Sequence, residues 1–163
     1  MKTLKLYFLM ICMMCIAACN DGEDEVTPIT ADIAGSSAMS MTSGTVVSNE
    51  MNTSTTGDYY EVDVQTSGGA IVEFEFYVAD GSLKEIEGTE APFDYEVNPG
   101  MGLIPFSQAK NMALTERPFA LMGWSLEKDS SSSIWTYTFE IENDSDSYTV
   151  RINAETGQII SNS

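Results

Sequence analysis

The chain has 163 residues, 25 of them acidic and seven basic, for a formal net charge of −18 with no histidine at all. That balance excludes nucleic acid as a natural partner, because a phosphate backbone needs Lys and Arg to displace its counterions. Without histidine there is no imidazole base, and zinc or copper sites of the His or Cys type have no donor set.

The first nineteen residues carry an address. Lys2 and Lys5 precede an apolar run from Leu6 to Ile16, too short to span a bilayer as a permanent helix, and Ile16-Ala17-Ala18-Cys19 closes it with small residues. Residues 1–18 are therefore expected to be a secretion signal. The Ile-Ala-Ala-Cys ending resembles a bacterial lipobox, which implies cleavage before Cys19 and diacylation of its thiol. Two or three acyl chains make a stable anchor, since each buried methylene contributes about 0.8 kcal/mol. Cys12 and Cys15 leave with the signal, so the mature chain retains no thiol pair for a disulfide, and its net charge becomes −20. An acidic tether is expected over 19–28, from the like-charged run Asn20-Asp21-Gly22-Glu23-Asp24-Glu25. Its placement resembles the export signal that sends lipoproteins of one Gram-negative group to the outer face of the outer membrane. A solvated spacer would have the same composition.

Beyond the tether the sequence repeats itself at a spacing of about 76 residues. Ile104-Pro105-Phe106-Ser107-Gln108-Ala109 answers Ile29-Thr30-Ala31-Asp32-Ile33-Ala34, Trp124-Ser125-Leu126-Glu127 answers Val47-Ser48-Asn49-Glu50, and Trp135 to Glu140 answers Asp58 to Asp63. The expected units are 29–87 and 104–163, joined by a connector over 88–103. In the first, Thr30 is a fair N-cap and Ala34, Ala38 and Met41 mark a helix face, although Gly35-Ser36-Ser37 weakens the helix. A strand at 45–51 and the polar loop 52–57 follow. Tyr60, Val62 and Val64 then alternate with Glu61 and Asp63, the turn signal Ser67-Gly68-Gly69 intervenes, and Val72, Phe74, Phe76 and Val78 alternate with Glu73, Glu75 and Tyr77.

The connector is punctuated by Pro92, Pro99 and Gly100, yet Phe93, Tyr95 and Val97 alternate, so a free linker and a strand-like clamp along one sheet both fit. In the second unit Phe106, Ala109 and Ala113 define a helix over about 105–115, which Pro118 ends. A strand at 120–128 leads to Trp135, Tyr137, Phe139 and Ile141 facing inward, a turn at Asn143 to Asp146, and a return through Tyr148, Val150 and Ile152. The fold class is α+β: two tandem units, each a helix packed on a three-stranded antiparallel sheet.

Together Trp124 to Glu127, Tyr137, Tyr148-Thr149-Val150-Arg151-Ile152 and Asn153-Ala154-Glu155-Thr156-Gly157 resemble the PepSY domain family. The first unit departs from it: Val78-Ala79-Asp80-Gly81 is one residue shorter before its glycine and lacks the threonine, which predicts a different closing turn. The pair of units is also similar in architecture to a secreted beta-lactamase inhibitor protein. PepSY resemblance implies a protein that binds or restrains a secreted peptidase, a role that requires a shaped surface and no catalytic residue.

No catalytic set competes with that expectation. The serines cluster in loops without a base, and nearly every carboxylate lies on the outward phase of a strand or in a turn. No cofactor and no metal are expected. One constellation stands out on the first hairpin, where a turn centred on Gly68 places Asp63 opposite Glu73 and Glu61 opposite Glu75. Four carboxylates on one outer face repel each other and would be relieved by a basic envelope protein, a divalent cation or salt.

Overall fold

The computed structural model describes residues 27–129 and 132–163. The expected signal segment, Cys19 and the acidic run through Glu25 lie outside the described residues. The elements run α1 (Ala31–Met41), β1 (Thr45–Ser54), β2 (Gly57–Gln65), β3 (Ile71–Tyr77), β4 (Leu83–Gly88), α2 (Phe106–Glu116), β5 (Ala120–Lys128), β6 (Trp135–Glu142), β7 (Ser147–Asn153) and β8 (Ile159–Asn162). All eight strands form a single antiparallel sheet in the order β1-β2-β3-β4-β5-β6-β7-β8. Among the described residues no helix is long and apolar enough to cross a membrane.

This corrects the expectation of two separate three-stranded units. Each half contributes a fourth strand, β4 or β8, and β4 pairs with β5 to fuse the halves into one sheet. Those strands escaped the sequence reading because they are short, and because a bulge in each pair breaks the two-residue alternation, between Glu75 and Phe76 and between Arg151 and Ile152. Strand β1 also continues through Ser54, so most of the expected loop over 52–57 is ladder, with the turn at Thr55 and Thr56.

Both helices lie on one face. Ala34 and Ala38 of α1, and Phe106, Ala109 and Ala113 of α2, are fully buried in one cluster with Val62, Phe74, Ile86, Leu126, Phe139 and Val150. Alanines on the helices permit close approach, and apart from Phe106 of α2 the aromatic bulk of these elements comes from the strands. Helix α1 extends for three turns across Gly35-Ser36-Ser37 because packing overrides propensity. A Cβ on Gly35 would sit 3.3 Å from the Asn49 amide nitrogen, which donates to the Ala31 carbonyl at 2.7 Å. Thr30 caps the helix, its hydroxyl accepting from the Ile33 N–H at 3.4 Å.

The halves match element by element. Asn49 pairs with Val62 as Trp124 pairs with Phe139, and the bulge at Val47 recurs at Met122. Trp124 is thus the counterpart of Asn49, not of Val47 as the sequence repeat suggested. The alignment slipped by two residues, a shift that preserves which face each side chain takes and so leaves the hydrophobic pattern intact. The closing turns are also alike: Gly81 (φ 71°) donates to the Tyr77 carbonyl and Gly157 (φ 74°) to the Asn153 carbonyl, both at 2.8 Å. A left-handed residue is needed at that point in each half, and glycine supplies it without a Cβ penalty.

Of the two readings of the connector, a clamp is what forms, across the helix side of the sheet. The Thr42 hydroxyl donates to the Glu96 carbonyl at 2.7 Å, the Asn98 N–H to the Met41 carbonyl at 2.8 Å, and Thr42 bridges Val97. Val97 is fully buried, and the Tyr95 ring stacks on Phe106 with centroids 5.3 Å apart. The segment leaving α1 is thereby tied to the segment entering α2, which fills the space between the two helices.

Candidate functional site

With one face covered by helices, the opposite face of the sheet is open, and strand alternation sends the polar residues there. The register aligns them in rows at right angles to the strands. In one row Glu50 pairs with Glu61, Glu61 with Glu75, Glu75 with Glu85, and Glu85 with Glu127, one glutamate from each of β1 to β5. In the neighbouring row Asp63 pairs with Glu73 and Glu73 with Glu87, before Ser125, Thr138 and Arg151 continue it. Adjacent strands lie about 4.8 Å apart, so these are ladders of close carboxylates.

The hairpin register read from the sequence is the observed one: Asp63 faces Glu73 and Glu61 faces Glu75. All four candidate residues therefore share one patch. Sequence reasoning missed Glu85, Glu87 and Glu127, because they reach the ladders on or across β4 and that strand had not been recognised, and it missed Glu50 because no register had been assigned between β1 and β2. The alternation of Glu85, Ile86 and Glu87 was the available signal.

Like charges directly across strands destabilise a sheet, and here burial first, then the neighbouring carboxylates, hold these groups above their usual range. Partial burial, reinforced by Glu61, Glu87, Glu75 and Asp63, pushes the Glu73 carboxyl up to about 7. Burial together with Asp63, Glu75 and Glu50 raises Glu61, burial and Glu50 raise Asp63, and burial with Glu75 and Glu127 raises Glu85. Among the described residues, Lys84 is the basic side chain that pairs with the glutamates of the first row. It bridges to Glu75, lies 4.0 Å from Glu85, and sits over the Tyr59 ring at 4.4 Å. Burial works against the Lys84 charge, but the hydrogen bond and field of Glu75 outweigh it and raise its pKa.

Two features mark this face. Carboxylate oxygens of Glu61, Asp63 and Glu73 lie within 4.8 Å of one another, close enough to share a hard cation. Further along, Glu85, Glu87 and Glu140 line a cavity of about 150 Å³ whose floor opens at Gly123, where no side chain fills the sheet.

With the geometry in hand, comparison with known proteins adds one finding. Residues 103–162 match the PepSY family, "Peptidase propeptide and YPEB domain", which spans α2 through β8. The resemblance carried by Trp124, Tyr137, Arg151 and Gly157 is thus found in the second half. The first half shares the element order and register but lies outside that match. A solved structure of a lipoprotein candidate from Clostridium difficile 630 is similar at 15% identity and a TM-score of 0.40, covering 87% of this chain and 95% of that one. No curated protein matches the chain.

Proposed function

We propose that this chain is a lipid-anchored, non-enzymatic binding protein of the bacterial cell envelope whose open sheet face docks on a basic protein surface. The observation that carries the reading is the line of five glutamates from Glu50 to Glu127, with Lys84 bridging its middle. A partner's Lys and Arg side chains would relieve repulsion that the isolated protein must bear, so binding and charge relief are the same event. A secreted peptidase is the favoured partner, since the matched family is named for peptidase propeptides. A basic structural protein of the envelope would use the same face. On this reading both halves are PepSY-like units with bounds at 29–87 and 104–163. Cys19 holds the protein in the outer membrane, and the acidic run after it displays the domain at the cell surface.

Pull-down from envelope extract tests the reading. Affinity should fall steeply with ionic strength, and replacing Glu61, Asp63, Glu73 and Glu75 by their amides should remove most of that dependence while leaving the fold intact. A partner whose binding ignores both salt and the amides would move the site to another surface, and hydrolytic turnover by the purified protein would overturn the reading. The convergence of Glu61, Asp63 and Glu73 favours a second reading, a divalent cation site. It predicts that Ca²⁺ raises the melting temperature of the protein and that Glu73→Gln abolishes the rise.

A further inference from the structure

The halves of this chain are joined edge to edge. Strand β4 receives β5, placing Glu85 across from Glu127, Ile86 from Leu126 and Glu87 from Ser125. By the register of each half, β8 is the counterpart of β4, with Ser161 in the place of Glu85 and Asn162 in the place of Ile86. Likewise β1 is the counterpart of β5, with Met51 in the place of Leu126 and Asn52 in the place of Glu127. Among the described residues, the two outermost strands are therefore unpaired versions of the two that meet in the middle.

An outer strand presents a row of N–H and C=O groups to any strand that can pair with it, and proteins blunt such edges with Lys, Pro, shortness or bulges. Strand β1 uses little of this. It is ten residues long, with no proline, lysine or arginine and with Glu50 as its single charge, and a bulge at Val47 is its one irregularity. Its apolar side chains also show what is missing: Met51 is 60% exposed, whereas Leu126, in the same position next to a paired strand, is fully buried. On the other edge Ile160 is 50% exposed.

We propose that the β8 edge of one copy pairs with the β1 edge of a second copy, antiparallel and in the register of the internal β4·β5 junction. The register then sets Ser161 against Asn52 of the second copy and Asn162 against Met51 of the second copy. The Glu85–Glu127 repulsion of the internal junction has no counterpart there. Asn162 in the place of Ile86 removes one apolar pair, which makes the external junction weaker than the internal one and reversible. Because each addition leaves one β1 and one β8 free, the contact is heterologous and builds open chains instead of a closed dimer. This surface is distinct from the acidic face, and its response to salt is opposite: screening a net charge of −20 on each mature copy promotes association.

Disulfide trapping with the processed, full-length chain in detergent tests the proposal. Residues directly opposed on antiparallel strands have Cα atoms about 4.5–5.5 Å apart, within reach of a disulfide. Ser161→Cys mixed with Asn52→Cys should give at least tenfold more cross-linked dimer under mild oxidation than either variant alone. The double variant should give a ladder of higher species, and adding Met51→Lys to the Asn52→Cys copy should cut the yield severalfold. Self-cross-linking of Asn52→Cys that matches the mixture would show β1 pairing with itself and overturn the head-to-tail register. A mixture no better than a Thr138→Cys control on the open face would overturn the contact altogether. Sedimentation of the unaltered chain provides an independent arm: mass should grow beyond a dimer with concentration and salt, and a monomer throughout would refute the proposal.

Discussion

The Trp124 indole N–H donates to the phenolic oxygen of Tyr95 at 2.8 Å, tying the connector to the first strand of the second half. Gly88, at the end of β4, lies directly beneath this pair, and a Cβ there would collide with both the Tyr95 oxygen and the Trp124 nitrogen. The bond thus sits where the two halves meet, and burial of the Tyr95 hydroxyl, pushed up to about 12, keeps it neutral across the physiological range. Tyr95→Phe should leave the buried indole N–H without its partner and lower stability by about 1–3 kcal/mol in denaturant unfolding. Gly88→Ala should cost about as much through overpacking.

Two of the three aromatic residues on the inward phase of β6 carry different burdens. Phe139 is fully buried, and Trp135, also on the inward phase, is only half-buried at the strand's end. Phe139→Ala should therefore destabilise by about 3–5 kcal/mol. Trp135→Ala should cost about 1–3 kcal/mol, because the full truncation penalty applies only where solvent cannot refill the space. Equal melting shifts for the two variants would contradict this assignment.

Stability should fall as pH rises from about 4.5 to 7. Burial and the surrounding carboxylates raise Glu73 to about 7 in the folded protein, above its value of 4.5 in an unfolded chain, so between those limits the folded state holds the proton more tightly. The stabilisation is fully present below 4.5 and is lost as pH rises through 7. Allowing for solvent screening of a half-exposed group, it should amount to about 1–2 kcal/mol. Glu73→Gln should flatten this part of the profile in thermal melts taken across that range.

Lipid attachment is tested directly at Cys19. If acyl chains on Cys19 supply the anchor, as proposed, replacement by Ser should abolish incorporation of radioactive fatty acid and release or stall the protein. Persistent labelling of Cys19→Ser would refute the anchor.

Legibility from sequence followed the regularity of each element. Val62 opposite Phe74 and Asp63 opposite Glu73 could be read because β2 and β3 alternate without interruption around a glycine turn. Four-residue β8 could not, since Ile159 and Ile160 are adjacent apolar residues, both exposed, and the bulge hides which of them lies on the helix side of the sheet. The patch was half legible for the same reason. Its four hairpin acids announce themselves by alternation; Glu50 joins it across the neighbouring β1–β2 hairpin, whereas Glu127 joins only through the β4–β5 register between strands far apart in the chain. Helix α1 was legible in its cap and its alanine face, but its passage across Gly35-Ser36-Ser37 goes with packing on β1, where Asn49 donates to the Ala31 carbonyl, a contact that propensity alone does not encode.

Because every strand lies beside its neighbour in the chain, a polypeptide emerging amino-terminus first, whether from a ribosome or from a membrane pore, can assemble in the order in which it arrives. Hairpin β2–β3 needs nothing that follows it, β4 closes onto a completed neighbour, and only the β4–β5 step must wait for the connector and α2 to pass. Local pairing of this kind lowers the chain-closure entropy that slows most sheets, and it shortens the time during which apolar strand faces lie bare. Chain order and sheet order therefore coincide, and the longest connection to be bridged, from β4 to β5, is the one that Gly88, Tyr95 and Trp124 lock.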